Sequence, residues 1–197
     1  LLYAVGCLGA TGVIVLCIVL LLIPACAAHR PAILKTTLIS LPGVVLTLSL
    51  VTGGSNPPIH DVTTDTLYPP TFSSVVELRD NSANSLDIDP DTLEQQKKAY
   101  GDLTTLVSEL DRDQAFARAI EVASSMGWKI VAQDSESGLI EAVATSNIMA
   151  FKDDVVIRLQ QGNGTTLIDL RSASRVGVSD LGANARRIMS FQDQFNK

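Results

Sequence analysis

The chain has 197 residues, of which 46% are hydrophobic and only 18% are charged, and its net charge is −6. All 21 acidic residues lie after Gly54, together with 13 of the 15 basic residues, so this later part of the chain carries a charge of about −8. Because neutralisation of phosphates supplies most of the affinity for nucleic acids, this acidic balance argues strongly against a nucleic-acid-binding domain.

The first apolar run, residues 1–24, contains no charged side chain and is predicted to form a transmembrane helix. At about 1.5 Å per residue it is long enough to span the roughly 30 Å of hydrocarbon in a bilayer. A signal peptide has a shorter apolar stretch before a small-residue cleavage site, which residues 25–28 could imitate. The second apolar run, which follows at once, favours a membrane anchor. The chain begins with Leu rather than Met, and we expect it to be a fragment.

Residues 31–54 form the second, weaker apolar run, so residues 1–54 are predicted to form a transmembrane helical hairpin. Lys35 lies near the start of this run, and Pro42-Gly43 at its middle predicts a kink. Small residues at close spacing on the first helix are predicted helix-packing positions, since they let a neighbouring helix approach closely. These residues are Gly6, Gly9 and Gly12. Glycine is also common in membrane helices without any such contact, and this alternative stays open.

The few charges of the hairpin predict its orientation. Arg30 and Lys35 lie in or beside the loop, and the positive-inside rule places that loop in the cytoplasm. Both ends of the hairpin then lie outside. The soluble domain is therefore predicted to be periplasmic, on a bacterial inner membrane, or lumenal on a plastid membrane as the alternative. All three cysteines lie in the hairpin, so no disulfide is predicted in the domain.

Residues 55–110 are rich in Pro, Asp, Ser and Thr and are predicted to form an extended arm. Asn56-Pro57-Pro58 and Tyr68-Pro69-Pro70 are stiff, extended points along it. We expect the arm to wrap the surface of the domain, with one short helix at residues 90–99. The arm and residues 111–197 together form one soluble domain, residues 55–197.

Residues 111–197 show the periodicity of an α+β domain. Asp111 and Gln114 resemble a capping box at the start of a helix that ends at Gly127. Strands are predicted over residues 128–133, 139–145, 153–161 and 165–172, and a last helix over residues 179–195. The order helix, four-stranded meander, helix predicts an antiparallel sheet covered on one face by two helices.

The register of the third and fourth predicted strands follows from the turn at Asn163-Gly164. A two-residue type I′ turn places Arg158 opposite Asp169 and Val156 opposite Arg171. In this register one face of the hairpin is largely apolar, and the other carries opposite charges that can pair across the strands. The two helices belong on the apolar face. The charged face is then either solvated or in contact with a partner.

Six segments are spread in order over nearly all of residues 56–195. They are PPIHDVTTD (57–65), AYGDL (99–103), MGWKIV (126–131), GLIEA (138–142), DDVVIR (153–158) and RSASRVGVSDLGANARRI (171–188). Together they resemble the family catalogued as domain of unknown function 1499. Bacterial members of that family often carry membrane helices ahead of the domain, and plastid relatives exist in plants. Gly101 stands where the family pattern usually has Pro. The resemblance implies no established activity.

The loop that begins at His60 offers the most plausible catalytic residues. The candidates in it are His60, Asp61, Thr64 and Asp65. A His–Asp pair with nearby hydroxyls can serve as a general base. The alternative, which we favour, is a structural loop in which the aspartates cap turns and His60 bonds to the backbone. The sequence has no nucleophile elbow, no phosphate-binding glycine loop and no two-histidine zinc spacing.

A second group of candidates surrounds the start of the last helix. The residues proposed to bind an anion or a partner are Arg171, Arg175, Arg186, Ser172 and Ser174. Backbone N–H groups at a helix start, with arginines beside them, can hold a phosphate or a carboxylate. The alternative, which we favour, is internal pairing of Arg171 and Arg158 with Asp154 and Asp169.

A set of carboxylates would suit a hard cation such as calcium if they converged in the fold. They are Asp61, Asp65, Asp153, Asp154 and Asp180. Because they are scattered along the sequence, we predict no metal and no cofactor.

Two classes of function stay open. The favoured one is a non-catalytic accessory or assembly subunit of a larger membrane complex, with integral membrane subunits and the bilayer as its partners. The other is a tethered domain that binds a small ligand, an anion or a lipid, or an unrecognised enzyme. A buried polar cavity near His60 or Arg175 would favour this second class.

Overall fold

The computed structural model describes residues 2–52, 56–146 and 150–197. Contacts between Cα atoms divide the chain into two compact units, Leu1–Ser55 and Asn56–Lys197. The second unit contains the sheet and every element described after the two N-terminal helices.

The first unit consists of two long helices joined by a 3₁₀ helix. Helix α1 spans Leu2–Leu22, the 3₁₀ helix spans Pro24–His29, and α2 spans Arg30–Thr52. Pro42 lies inside α2, which continues through it. Three hydroxyls of α2 donate to carbonyl oxygens four residues earlier, as in the 2.9 Å contact from Thr37 to Ile33.

Within the described residues, neither α1 nor α2 alone has the length and hydropathy of a membrane span. The pair Gly12–Leu22 and Pro24–Val45, bent by 115°, meets these criteria together, by length and composition only. The transmembrane hairpin therefore stays a prediction.

The second unit is built on a six-stranded antiparallel sheet. Its strands are β1 (Asp61–Thr63), β2 (Leu106–Ser108), β3 (Lys129–Asp134), β4 (Leu139–Thr145), β5 (Lys152–Gln161) and β6 (Thr166–Ser174). The order is β1-β6-β5-β4-β3, and β2 also pairs with β6. The predicted four-stranded meander is present as β3–β6. The prediction of four strands is nevertheless wrong, because the arm contributes β1 and β2.

The turn between β5 and β6 explains why their predicted register is confirmed. Gly164 has φ +78°, which the turn requires and which glycine adopts without strain. The Gly162 N–H donates to the Thr165 carbonyl oxygen at 2.8 Å and closes the turn. Arg158 accordingly lies opposite Asp169, and Val156 lies opposite Arg171.

Three helices accompany the sheet: α3 (Pro90–Ala99), α4 (Arg112–Ser125) and α5 (Ala183–Phe195). Asp111 caps α4 as predicted, since its carboxylate accepts from the Gln114 N–H at 2.8 Å. Helix α5 begins at Ala183 instead of residue 179. Leu181 (φ +53°) and Gly182 (φ +79°) have left-handed backbone angles, which no right-handed helix can include.

One face of the sheet packs against α4 and α5 and forms the hydrophobic core. Ile140, Ile157 and Leu170 are fully buried in it. Trp128 stacks on Phe191 of α5 with ring centroids 5.6 Å apart. This arrangement confirms that helices cover the apolar face of an antiparallel sheet.

The arm covers the opposite, charged face of the sheet. The expectation that this face is solvated or meets a partner is wrong, because Asp154 and Arg171 are buried. The covering segment includes a second 3₁₀ helix, Ser74–Leu78, whose Val75 is completely buried. The sheet is therefore a middle layer, with an apolar core on one side and a polar layer on the other.

Candidate functional site

The polar layer between the sheet and the arm contains most of the candidates from the His60 loop and the arginine group. Arg171 on β6 donates from Nε and Nη2 to the Asp61 carboxylate, at 3.0 and 2.7 Å. It also donates to the carbonyl oxygens of Pro70 (3.3 Å) and Leu86 (2.5 Å), and its guanidinium lies 5.0 Å from the centroid of the Phe72 ring. Arg171 therefore fastens β1 and two points of the arm to the sheet. The predicted pairing of Arg171 with Asp154 is wrong.

Asp154 on β5 is fully buried between two other arginines. Arg175 donates to its carboxylate from Nε at 3.1 Å and from Nη2 at 2.7 Å, and from Nη1 to the Leu78 carbonyl oxygen at 2.7 Å. Arg79 of the arm pairs with the same carboxylate and also donates to the carbonyl oxygen of Asn84. Because an unpaired buried carboxylate is costly, these two arginines compensate the burial of Asp154 beneath the arm.

The predicted pair between Arg158 and Asp169 is present and is part of a wider network. Arg158 Nη2 lies 2.9 Å from a carboxylate oxygen of Asp169 and 2.9 Å from one of Asp65. The hydroxyls of Thr64 and Thr105 donate to the other oxygen of Asp169, at 3.0 and 2.6 Å. Asp169 on β6 thus links three parts of the domain: β5, the arm and the segment that leads to β2.

The pKa of Asp65 is set by these neighbours. Burial tends to raise it, but the N–H groups of Tyr68 and Leu67 and the guanidinium of Arg158 outweigh burial and leave the pKa below its usual value. Asp65 therefore stays ionised and holds the arm at the point where it turns away from β1.

Glu141 on β4 was not identified from the sequence, although it is one of the few carboxylates buried in the domain. It accepts from the N–H groups of Ser73 (3.0 Å), Ser74 (3.0 Å) and Val75 (2.9 Å), and from the Ser73 hydroxyl. Burial raises the pKa of Glu141, but these donors together lower it below its usual value. The carboxylate holds the start of the 3₁₀ helix Ser74–Leu78 on the sheet.

The two candidate serines point to the other face of the sheet, towards α5. The Ser172 hydroxyl donates to the Asn184 side-chain oxygen at 2.7 Å, and the Asn184 amide donates to Ser174 Oγ at 2.9 Å. Arg187 pairs with Asp153 and donates to Ser172 Oγ at 2.9 Å. Because side chains alternate along β6, Ser172 and Ser174 lie on the opposite face from Arg171. The predicted anion site is therefore not assembled from these residues.

The remaining arginine candidate, Arg186, lies on the exposed side of α5. Its Nη1 donates to the Leu181 carbonyl oxygen at 3.0 Å, in the loop between β6 and α5. It thus stands apart from the polar layer.

Neither Asn184 nor Glu141 gave a sequence signal that distinguished it from an exposed polar residue.

His60 lines a cavity of about 250 Å³ beside the sheet edge. The other walls come from Asp61 and Thr63, from the arm at Asn84, Ser85, Asp87, Ile88 and Asp89, and from Thr92, Leu93 and Gln96 of α3. The main-chain oxygen of His60 accepts from the Asn184 amide at 3.0 Å. Three of the lining residues, Asp61, Asp87 and Asp89, are acidic, so the cavity suits a ligand with hydrogen-bond donors better than an anion.

No three His, Cys, Asp or Glu side chains converge into a metal-binding group within the described parts of the chain. Of the five carboxylates considered for a cation, four pair instead with arginines: Asp61, Asp65, Asp153 and Asp154. On α1, the surroundings of Gly6 lie outside the described residues. A Cβ atom added at Gly9 or Gly12 would meet nothing within 4 Å, so these two positions face open space.

The protein family described as "Protein of unknown function (DUF1499)" matches residues 61–195, which cover more than two thirds of the chain and the whole sheet. No curated protein matches the chain.

Proposed function

We propose that this chain, which belongs to the DUF1499 family, is a membrane-anchored, non-catalytic accessory or assembly subunit of a larger membrane complex. Its partners would be integral membrane subunits and the lipid bilayer. The domain of residues 56–197 would serve as a rigid body that a partner recognises by shape and surface.

One observation carries this proposal: the ionised side chains that the sequence offered for chemistry hold the arm on the sheet. Asp61 binds Arg171, and Asp65 binds Arg158. A general base needs an acceptor atom that faces a substrate, and an anion-binding arginine needs N–H donors that face one. Here these groups face each other across the polar layer, which favours a structural role for them.

The N-terminal helices support attachment to a membrane. Their described apolar side chains include exposed residues such as Leu22, Leu38 and Ile39. In α2 the hydroxyls of Thr36, Thr37 and Ser40 donate to carbonyl oxygens of their own helix. Hydroxyls satisfied in this way can lie in hydrocarbon without the cost of an unpaired polar group.

The open surroundings of Gly9 support an association between helices. Close approach of two helices in lipid relies on van der Waals contact, so a small residue at the crossing point matters. A partner helix could pack on Gly9 and Gly12 without displacing any described part of the chain.

The test is purification from native membranes in mild detergent, followed by mass spectrometry and native electrophoresis. The wild-type chain should migrate as part of a larger assembly, and Gly9→Leu should release it while the domain stays folded. Ile18→Phe is the matched control. Ile18 lies half a turn round α1 from Gly9 and is 50% exposed, so this change adds bulk to the opposite side of the helix. Migration of the wild type as a free monomer would refute the proposal.

The cavity beside His60 favours a second candidate, a tethered domain that binds a small polar ligand. Its volume of about 250 Å³ is slightly below the usual range of about 300–1,000 Å³ for a small-molecule site. His60→Ala distinguishes the two functions. If the chain acts as a subunit, this variant keeps both its association and its cellular role. If the cavity is the site, the variant keeps the association and loses the role.

A further inference from the structure

The loop between β6 and α5, residues 175–182, presents apolar side chains to the outside. Val176 is 47% exposed, Val178 is 80% exposed and Leu181 is 38% exposed. Three exposed aliphatic side chains within six residues are unusual in a loop whose neighbours on both sides belong to well-packed elements.

Polar contacts fix this loop, so the exposed side chains are held in place. The Asn84 amide donates to the Gly177 carbonyl oxygen at 2.8 Å, and the Asp180 N–H donates to the Ile59 carbonyl oxygen at 3.0 Å. The Asp180 carboxylate accepts from the Gly182 N–H at 2.7 Å. The outward direction of the apolar groups is therefore a feature of the folded domain.

Leu181 is held in a backbone conformation that ordinary side chains avoid. Its φ of +53° costs a residue with a Cβ atom about 1–2 kcal/mol relative to the right-handed region. Its carbonyl oxygen accepts from Arg186 at 3.0 Å and from the Asn56 amide at 3.1 Å. The contacts that compensate this cost keep an apolar side chain exposed on the surface.

The loop contains one acidic residue, Asp180, and is bonded to Arg186 of α5 and to Asn56 at the start of the domain. Arg186 is exposed and bonded to Leu181, which places a positive charge beside the apolar side chains. Asn56, which also holds Leu181, follows Thr52 of α2 by only four residues. The loop is therefore bonded to a residue that lies close to α2 in the sequence.

We propose that residues 176–181 dock on the lipid surface, with Val176, Val178 and Leu181 inserted at the boundary between headgroups and acyl chains and with Arg186 at the level of the phosphates. Aliphatic side chains next to a basic residue are the combination that binds at such a boundary. The inference rests on the proposed membrane attachment of the chain. Docking of this loop would give the domain a second point of contact with the membrane, which would limit the orientations of the domain.

The experiment uses the full chain in vesicles of phosphatidylcholine and phosphatidylglycerol, without any other protein. The native cysteines are replaced by Cys7→Ala, Cys17→Ala and Cys26→Ala. A single Val178→Cys is then labelled with an environment-sensitive nitrobenzoxadiazole dye. Val107→Cys is the matched control, because Val107 is also exposed (58%) and lies opposite Leu167, at the far end of β6 from the loop. Val176→Cys gives a second position in the loop should the first variant fold poorly.

We expect the dye at 178 to be quenched by lipids with a nitroxide on the acyl chain at least threefold more strongly than the dye at 107. Equal, weak quenching at 176, 178 and 107 would overturn the inference. Weak quenching in pure vesicles with protection of 178 in native membranes would also overturn it and assign the loop to a protein partner. Flotation of the vesicles after an alkaline wash separates this result from a failure of the proposed function. A chain that does not float is not anchored at all, whereas a floating chain with an unquenched loop refutes only the docking.

Discussion

Gln96 and Thr63 form a two-point contact between the side chain of one residue and the backbone of the other. The Gln96 side-chain oxygen accepts from the Thr63 N–H at 3.0 Å, and its amide donates to the Thr63 carbonyl oxygen at 2.6 Å. Thr63 belongs to β1, which is the end strand of the sheet order. The Gln96 amide thus occupies the place of a neighbouring strand, and α3 protects a sheet edge that could otherwise pair with another chain.

Gln96→Ala should therefore destabilise the domain by about 2–4 kcal/mol, because two buried backbone groups of Thr63 lose their partner at once. Urea unfolding followed by the fluorescence of Trp128, the one tryptophan of the chain, measures this loss. Lys98→Ala is the control on the exposed side of the same helix and should cost no more than about 0.5 kcal/mol. Equal effects of the two changes would show that the contact contributes little.

Asp169→Ala should cost about 3–5 kcal/mol, because it leaves Arg158 largely buried without this partner. The side chain of Asp169 is only 4% exposed, and the hydroxyls of Thr64 and Thr105 would lose their acceptor too. Glu121→Ala removes an ion pair with Arg118 in which Glu121 is 69% exposed, and it should cost no more than about 1 kcal/mol. The same urea titration compares the two. A loss for Asp169→Ala as small as that of Glu121→Ala would contradict the assigned burial of this pair.

The sequence predicted those parts of the fold that depend on local rules. The β5–β6 register follows from the two-residue turn at Asn163-Gly164, and a one-residue slip would have moved charges into the core. The start of α4 follows from the cap at Asp111. The helix-covered face follows from the alternation of apolar residues along β5.

The covering of the second sheet face could not be predicted in this way. Its ion pairs join residues far apart in sequence, such as Arg79 with Asp154, and they depend on the path of an arm without periodicity. Arg171 illustrates the difficulty. It has a diagonal carboxylate on each side, Asp154 on β5 and Asp61 on β1, and only the presence of β1 decides between them. A three-residue strand carries too weak a pattern for β1 to be identified from sequence.

The contribution of Glu141 to stability should disappear in acid. Its folded pKa lies below the ordinary value of 4.5, so the ionised carboxylate stabilises the fold above that value. This stabilisation is lost as the pH falls through the lowered, folded pKa. Glu141→Gln should cost about 1–3 kcal/mol at pH 7, since the amide presents a donor to N–H groups that need an acceptor.

The measurement is the free energy of unfolding of Glu141→Gln and of the wild type between pH 7 and pH 3. The difference between the two should be constant down to about pH 5 and should shrink below pH 4.5. Glu94→Gln, on the exposed side of α3, is the control and should differ little from the wild type throughout. A difference that grows in acid would mean that Glu141 is protonated in the folded domain.

The last prediction concerns the side of the membrane on which the domain lies. Arg30 and Lys35 are the only Lys or Arg residues before Ser55, and they lie in or beside the predicted hairpin loop. Since positively charged loops stay in the cytoplasm, residues 56–197 should lie on the other side. Protease added to spheroplasts, or to sealed vesicles of the same orientation, should then digest the domain without detergent. Replacement of both basic residues, by Arg30→Gln and Lys35→Gln, removes the charge bias of the loop. Part of the protein population should then insert in the opposite orientation and have its domain protected. Full protection of the wild-type domain would refute the orientation, and identical digestion of wild type and variant would show that these two charges do not set it.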